Sequence, residues 1–257
     1  MISIYDWFGY DISLKERYRL IREAGFDGVM LWWSDYLNKH DYRSAPEAAR
    51  KAGLWIENIH APFQIQDDIW LDSLAGTYAE ECYLQYIRDC AEFEIPTIVI
   101  HLPDDDKPCN ALGINRIHTL AERAGTLGVN IAFENLQNLS NLEYVLEKVN
   151  TSIVGFCYDC SHHFHFYPTV DLLAKFGSRL MALHLHDYDD ADGVYRTHRL
   201  PFDGVIDWAK AMAPISQSRY QGTIAIEAMN WEYEKFSIEQ FLHEAYQRAK
   251  RLEALRF

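Results

Sequence analysis

Short apolar runs that close on a charged or imidazole side chain punctuate this chain from end to end. In Met181-Ala-Leu-His-Leu-His-Asp187, Met181, Leu183 and Leu185 alternate with Ala182, His184 and His186, and the polar, acidic stretch Tyr188 to Gly193 follows. A period of two over so short a run predicts a buried strand rather than a helix. The layout recurs in Leu54 to His60, Thr97 to His101, Asn130 to Glu134, Ile153 to Asp159 and Thr223 to Glu227. These runs lie roughly one βα unit apart, the spacing that parallel strands joined by crossover helices require.

Between the runs the periodicity turns helical. Helices are predicted from about Leu14 to Ala24, with Gly25 as C-cap, and from Ser44, with Ser44 as cap, Pro46 in the first turn and Glu47 at the capping-box position, to near Gly53. Others are predicted over Thr77 to Glu94, Leu112 to Leu127, Ser140 to Val149, Val170 to Phe176, Val205 to Met212 and Ile238 to Leu255. Ser161 to His165 reads as a loop. With the first strands at Ile2 to Trp7 and Phe26 to Trp32, eight strands result, near Tyr5, Met30, Ile59, Val99, Ile131, Phe156, Leu183 and Ala225. Alternating strands and helices in that number predict an α/β fold, a (β/α)8 barrel over residues 1–257 as one domain, with its chemistry at the carboxyl ends of the strands.

Composition narrows the function classes. The chain of 257 residues carries 38 acidic against 24 basic residues, a net charge of −14 with histidine neutral. A nucleic-acid partner normally meets a basic footprint, so none is expected. The opening Met1-Ile-Ser-Ile-Tyr5 has no basic segment ahead of an apolar core, and no apolar stretch approaches membrane-spanning length, so the expected location is cytoplasmic. Five cysteines without a secreted framework read as free thiols, and Cys157-x-x-Cys160 lacks the second half of a zinc site. Aromatic surface candidates could support a homodimer.

The site candidates follow from the strand ends. Glu134, Asp159, His186 and Glu227 form an oxygen-rich set suited to one divalent cation, Mn²⁺, Mg²⁺, Co²⁺ or Zn²⁺. Converging carboxylates would repel one another without a cation or protons. Singly, each could instead cap a helix or form a salt bridge. His60 and His101 could bind sugar hydroxyls or complete a second metal site with Glu134. His162, three residues beyond Asp159, is a further candidate, while His163 and His165 read as loop or surface residues and His184 as a core histidine one layer deeper than His186. Arg196 and His198 lie in the next loop, where an arginine could grip a hydroxyl, carboxylate or phosphate in bidentate fashion. Trp7, Phe8, Trp32, Trp33, Phe63 and Trp231 fall at strand ends or just beyond, and of these Trp7, Trp32 and Phe63 are the candidates for the pocket wall. His40, His118 and His243 carry no functional assignment.

Taken in order, Ile59-His-Ala-Pro62, Phe133-Glu-Asn135, Tyr158-Asp-Cys-Ser-His162, His184-Leu-His-Asp187, the His198 loop with Phe202-Asp-Gly204, and Ile226-Glu227 resemble the sugar isomerase and epimerase-like TIM barrels. That superfamily includes xylose isomerase-like proteins, ketose 3-epimerases, inositol-catabolism enzymes and endonuclease IV-type nucleases, and the resemblance spans nearly the whole chain. It implies a metal-dependent isomerase or epimerase of a small keto-sugar, sugar phosphate or polyol, working through a metal-stabilised enediolate. In the epimerase branch the metal ligands would be Glu134, Asp159, His186 and Glu227. Glu134 and Glu227 would double as the acid/base pair, and His162 and Arg196 would contact substrate. An inosose dehydratase-like lyase would use nearly the same ligands. The nuclease branch would place a second zinc on His60, His101 and Glu134, but Arg196 stands where its third site has an aspartate beside His162 and His198.

Overall fold

The computed structural model describes residues 1–35, 41–104 and 107–256, so His40 and part of the loop after His101 lie outside the described residues. Eight parallel strands form one sheet in the order β10-β1-β2-β3-β4-β5-β6-β7. They are β1 (Ile2–Tyr5), β2 (Gly28–Trp32), β3 (Trp55–His60), β4 (Thr97–Ile100), β5 (Asn130–Glu134), β6 (Val154–Asp159), β7 (Leu180–His184) and β10 (Ile224–Ile226). β1 pairs with β10, and a parallel bridge from Leu185 to Ile226 brings β7 up to the same strand, so the sheet curls into a nearly closed barrel. The architecture predicted from periodicity is the one observed.

Helices α1 (Leu14–Ala24), α2 (Ala45–Lys51), α3 (Leu74–Glu92), α4 (Ala111–Leu127), α5 (Leu139–Lys148), α7 (Leu172–Phe176), α8 (Trp208–Gln217) and α9 (Ile238–Ala254) fill the crossovers. Gly25 (φ 111°) and Gly128 (φ 71°) end α1 and α4 in the left-handed conformation that costs glycine least. Ser44 occupies the N-cap position of α2, but its side chain makes no capping hydrogen bond. It ends a turn of 3-10 helix that runs into α2 and is itself capped by Asp41, whose carboxylate accepts from the Arg43 N–H at 3.1 Å.

Two elements were not legible as such in the sequence. Ser161 to His165 belongs to a helix, α6 (Cys160–Phe166), because Asp159 caps it by accepting the His162 N–H at 2.8 Å. Three histidines and two phenylalanines had obscured the periodicity. The segment after His186 folds into an antiparallel hairpin, β8 (Asp187–Asp189) with β9 (Arg196–Arg199), standing over the carboxyl end of the barrel.

The barrel interior is layered. At the amino-terminal end the Glu57 carboxylate accepts from the Ser3 hydroxyl at 2.7 Å, the Tyr220 hydroxyl at 3.0 Å and the Thr223 N–H at 3.1 Å. This buried carboxylate is fully engaged by donors and needs no counter-ion. Above it Val99, Ala132, Cys157 and Ala182 form a separate apolar layer. Burial pushes the Cys157 thiol up to about 12, which makes it an inert core group rather than half of a thiol motif. The main core lies outside the barrel, between strands and helices.

Asp187 ties the hairpin to the chain that follows. It is fully buried and accepts from the N–H groups of Tyr188 (3.0 Å), Phe202 (3.0 Å) and Ile206 (3.1 Å) and from the Trp208 indole at 2.9 Å. Gly204 is required beside it, since a Cβ there would fall 2.0 Å from the Tyr188 carbonyl and 2.4 Å from Asp187 Oδ1. Replacing Asp187 by alanine strands four buried donors. Urea denaturation of Asp187→Ala should show a loss of about 3 kcal/mol or more, and a change below about 1 kcal/mol would contradict this account.

Candidate metal and proton-transfer site

The carboxyl ends of four strands deliver acidic or imidazole groups to one buried place. Ligand-capable atoms of Glu134, Asp159, His184 and Glu227 all lie within 4.8 Å of one another, and every one of these residues is buried. The fourth member is His184, not His186. Strand register explains the difference. Asp159 pairs directly with His184 across β6 and β7, after a register shift between Phe156 and Cys157. His184 therefore stands level with the carboxylates, and the reading of it as a deeper core histidine is corrected. Its Nδ1 lies 3.0 Å from Glu134 Oε2 and 3.1 Å from Glu227 Oε2.

His186, placed among the ligands from sequence, lies beyond the ladder. Its Nε2 is 2.8 Å from Asp159 Oδ2 and its Nδ1 receives the His198 N–H at 3.0 Å. It groups with His198 and Glu227 rather than with the four. Burial opposes a charge on His186 and Asp159 favours one. Asp159 and Glu227 outweigh burial and raise its pKa above that of a free imidazole. The His198 N–H, which can only donate, faces Nδ1 and disfavours a proton on that nitrogen.

The electrostatics are those of charges gathered in a dry place. Burial works against ionised carboxylates here. For Glu134 it is outweighed by His184 and His101, which hold its pKa well below the usual range. For Asp159 it is outweighed by His162 and His186, and for Glu227 mainly by His184. Burial likewise opposes charging His184, but Cys157, Glu227 and Glu134 prevail and hold its pKa well above that of a free imidazole. His184 Nδ1 and Nε2 and Glu227 Oε2 are buried without a properly directed hydrogen bond. His184 Nδ1 and Glu227 Oε2 face one another at 3.1 Å, and orphaned polar atoms so gathered are what a cation site leaves when its ligands are not satisfied by one another. The donor set, three carboxylates and an imidazole, fits a divalent ion.

Around this centre the remaining candidates separate. His60 Nε2 and His101 Nε2 lie 3.4 and 3.1 Å from Glu134 Oε2, and their Nδ1 atoms meet the Ala61 carbonyl (2.9 Å) and Gln66 Oε1 (3.0 Å). His162 faces the site from α6, with Nδ1 3.6 Å from both Glu134 Oε1 and Asp159 Oδ2 and hydrogen-bonded to the Asn135 carbonyl at 3.0 Å. His198 stacks on His186 at 4.3 Å and binds the Glu227 carbonyl through Nδ1 at 3.0 Å, and burial and His186 together lower its pKa to about 4. Arg196 is not brought in. It closes a bidentate ion pair on Asp192 at 2.8 and 2.5 Å, toward the exposed end of the hairpin. His163 bridges the Tyr158 hydroxyl and the Val170 carbonyl, and His165 stacks on Tyr195.

Of the aromatic candidates, Trp32 is buried behind His60 at 5.7 Å, and Phe63 lies along Trp32 and His101 with 41 % of its surface exposed. Trp7 is half-buried under the Arg17 guanidinium at 5.3 Å. Trp231, named among the strand-end aromatics but not preferred, stands edge-on to His198 at 5.4 Å and is mostly exposed. One aromatic residue escaped notice. Tyr5, at the end of β1, is buried, and its hydroxyl is held well above its usual pKa by burial and then by Glu227, Asp6 and Glu134. Its place at a strand end, beside Asp6, was the available signal.

Comparisons with known proteins agree with this architecture. An uncharacterised protein, y4fM, of Sinorhizobium fredii (strain NBRC 101917 / NGR234) is 30 % identical over 298 residues, spanning 99 % of this chain and 94 % of that protein. Among solved structures, a xylose isomerase-like TIM barrel/4-hydroxyphenylpyruvate dioxygenase fusion protein superposes with a TM-score of 0.82 at 17 % identity. This chain is covered to 99 % and spans 43 % of the fusion. D-Psicose 3-epimerase from Clostridium cellulolyticum H10, solved with D-tagatose, gives 0.80 at 14 % identity over 99 % of both chains. The IolI protein with a bound zinc atom gives 0.78 at 15 % identity, over 100 % of this chain and 99 % of that one. At such identities these likenesses establish the fold. A family model described as a xylose isomerase-like TIM barrel matches residues 18–253, and the chain belongs to that family.

Proposed function

We propose that this protein is a divalent-metal-dependent isomerase or epimerase of a small keto-sugar, sugar phosphate or polyol, built on residues 1–257 as one catalytic domain. The observation that carries the reading is the placement of two glutamates from different strands, Glu134 and Glu227, at 3.0 and 3.1 Å from the same His184 nitrogen. Carboxylates flanking one point can remove a proton from one side of a substrate carbon and return it on the other, or at the adjacent carbon. The solved D-psicose 3-epimerase and zinc-bearing IolI share the fold and support the direction.

Glu134, Asp159, His184 and Glu227 would hold the cation. When bound it supplies polarisation of a carbonyl and stabilisation of the charge that develops as the α proton leaves. The chain's own residues do the rest. Glu134 and Glu227 exchange the proton at their free carboxylate oxygens. His162 offers its ring to a substrate hydroxyl from α6. Phe63 and Trp231, exposed on the loops beside His101 and His198, can cover the apolar face of a sugar ring.

A second reading has one observation in its favour. His60 and His101 both direct Nε2 at Glu134 Oε2, a triad able to take a second zinc for hydrolysis of a phosphodiester. An inosose dehydratase-like elimination would use the first site unchanged.

Three outcomes are expected. Protein purified without added metal should contain about one divalent ion per chain, measured by elemental analysis; two or three zincs would favour hydrolysis, and none after reconstitution would overturn both readings. On a ketose panel in D2O, Glu227→Gln and Glu134→Gln should each slow α-proton exchange by about a hundredfold or more. Finally, Cys157, Glu227 and Glu134 raise the pKa of His184 against its burial, and an imidazole protonated at the ligating nitrogen must lose that proton to become a ligand. Metal uptake at neutral pH should therefore release about one proton, and affinity should rise with pH until the folded-state pKa of His184 is passed. Calorimetry in buffers of different ionisation enthalpy reads the proton count directly.

A further inference from the structure

We propose that His186 is a positioning residue: held in its Nε2–H tautomer by the backbone of the β8–β9 hairpin, it fixes Asp159 for the cation without ligating it. The inference rests on the metal-site reading above and concerns a residue that the donor set itself does not require.

The argument starts from the one group whose hydrogen-bonding role is not adjustable. A backbone N–H can only donate. The His198 N–H lies 3.0 Å from His186 Nδ1, so that nitrogen presents a lone pair. The ring proton is then on Nε2, 2.8 Å from Asp159 Oδ2, and it is donated there. A nitrogen that carries a proton has no lone pair for a metal. The neighbouring histidines have the opposite arrangement. The Nδ1 atoms of His60, His162 and His198 meet the main-chain carbonyls of Ala61, Asn135 and Glu227 at 2.9, 3.0 and 3.0 Å, so they carry their protons at Nδ1 and leave Nε2 open. Of these four imidazoles His186 alone is locked as a donor toward a carboxylate.

The consequence falls on Asp159. Its Oδ1 accepts the His162 N–H at 2.8 Å and its Oδ2 accepts His186 Nε2–H. Both oxygens are tethered, so the carboxylate cannot rotate, and each keeps a lone pair for a cation. Such outer donors to a ligand commonly set metal affinity. The lock depends on the hairpin. His198 adopts φ 57°, its ring stacks on His186 at 4.3 Å, and β9 is fastened to β8 through the Asp187–Arg199 and Asp189–Arg196 pairs. The hairpin over the site mouth and the cation beneath it are thereby coupled through one imidazole.

The test is Co²⁺ binding to the metal-free protein, by competition with a chromophoric chelator and by the visible absorption of the bound ion. Wild type is compared with His184→Leu, His186→Leu and His186→Gln, each checked for folding by circular dichroism. His186→Leu should weaken Co²⁺ about ten- to a hundredfold while leaving the band positions of the bound ion unchanged. His186→Gln should recover most of the affinity, because its amide can accept from the His198 N–H and donate to Asp159. His184→Leu should lose stoichiometric binding. If His186→Leu does not fold, His186→Gln against His186→Asn carries the comparison, the shorter amide being unable to span to Asp159. A spectrum altered in His186→Leu as for a lost ligand, or wild-type affinity in all His186 variants, would overturn the proposal while leaving the metal site standing. Absence of Co²⁺ binding in wild type would overturn both.

Discussion

Three carboxylates buried within a few ångströms of one another are the constraint around which the upper half of this barrel is arranged. Two unit charges about 4 Å apart repel by roughly 4 kcal/mol even at an effective dielectric constant near 20, and burial adds a desolvation cost for each. Glu134, Asp159 and Glu227 nevertheless have pKa values below those of free carboxyls. The compensation comes from imidazoles: His184 between the two glutamates, His101 on Glu134, His162 and His186 on Asp159. The compensation is incomplete, since Glu227 Oε2 and both His184 nitrogens remain without a directed partner.

The rest of the interior contrasts with that centre. Glu57, the buried carboxylate at the opposite end, is surrounded by hydroxyl and backbone donors and is chemically closed. An apolar layer of Val99, Ala132, Cys157 and Ala182 separates the two ends. One barrel thus holds a satisfied polar floor that contributes to structure and an unsatisfied polar mouth that is available for chemistry, in line with the division of labour common to this architecture. Asp187 belongs to the first kind although it adjoins the second, because four donors saturate it and anchor the hairpin that reaches His186.

The family establishes the scaffold. One barrel supports many reactions, so the chemistry has to be argued from side chains. Those side chains are paired glutamates, a histidine shared between them and an aspartate clamped on both oxygens. His60, at the end of β3, and His101, just beyond β4, both direct Nε2 at Glu134 Oε2 in the same mouth.

The sequence by itself determined the barrel and the strand ends that carry its chemistry. Period-two alternation, helix caps such as Gly25 and Gly128, and the recurrence of a charged or imidazole residue after each apolar run are local signals, and local signals survive in a linear chain. Glu134, Asp159 and Glu227 were legible for that reason. Only the tertiary structure decided between His184 and His186. The two share a parity in the sequence, and alternation reports facing but not depth; depth is set by register against β6, where an irregularity at Phe156/Cys157 aligns His184 with Asp159. Arg196 was misplaced on similar grounds, because a loop residue's direction depends on its partner, and its partner is Asp192 in the turn of a hairpin that no periodicity announces. The helix α6 needed Asp159 as a cap before its histidines could be read as helical. Sequence fixes what a strand can offer, and packing fixes how high it stands.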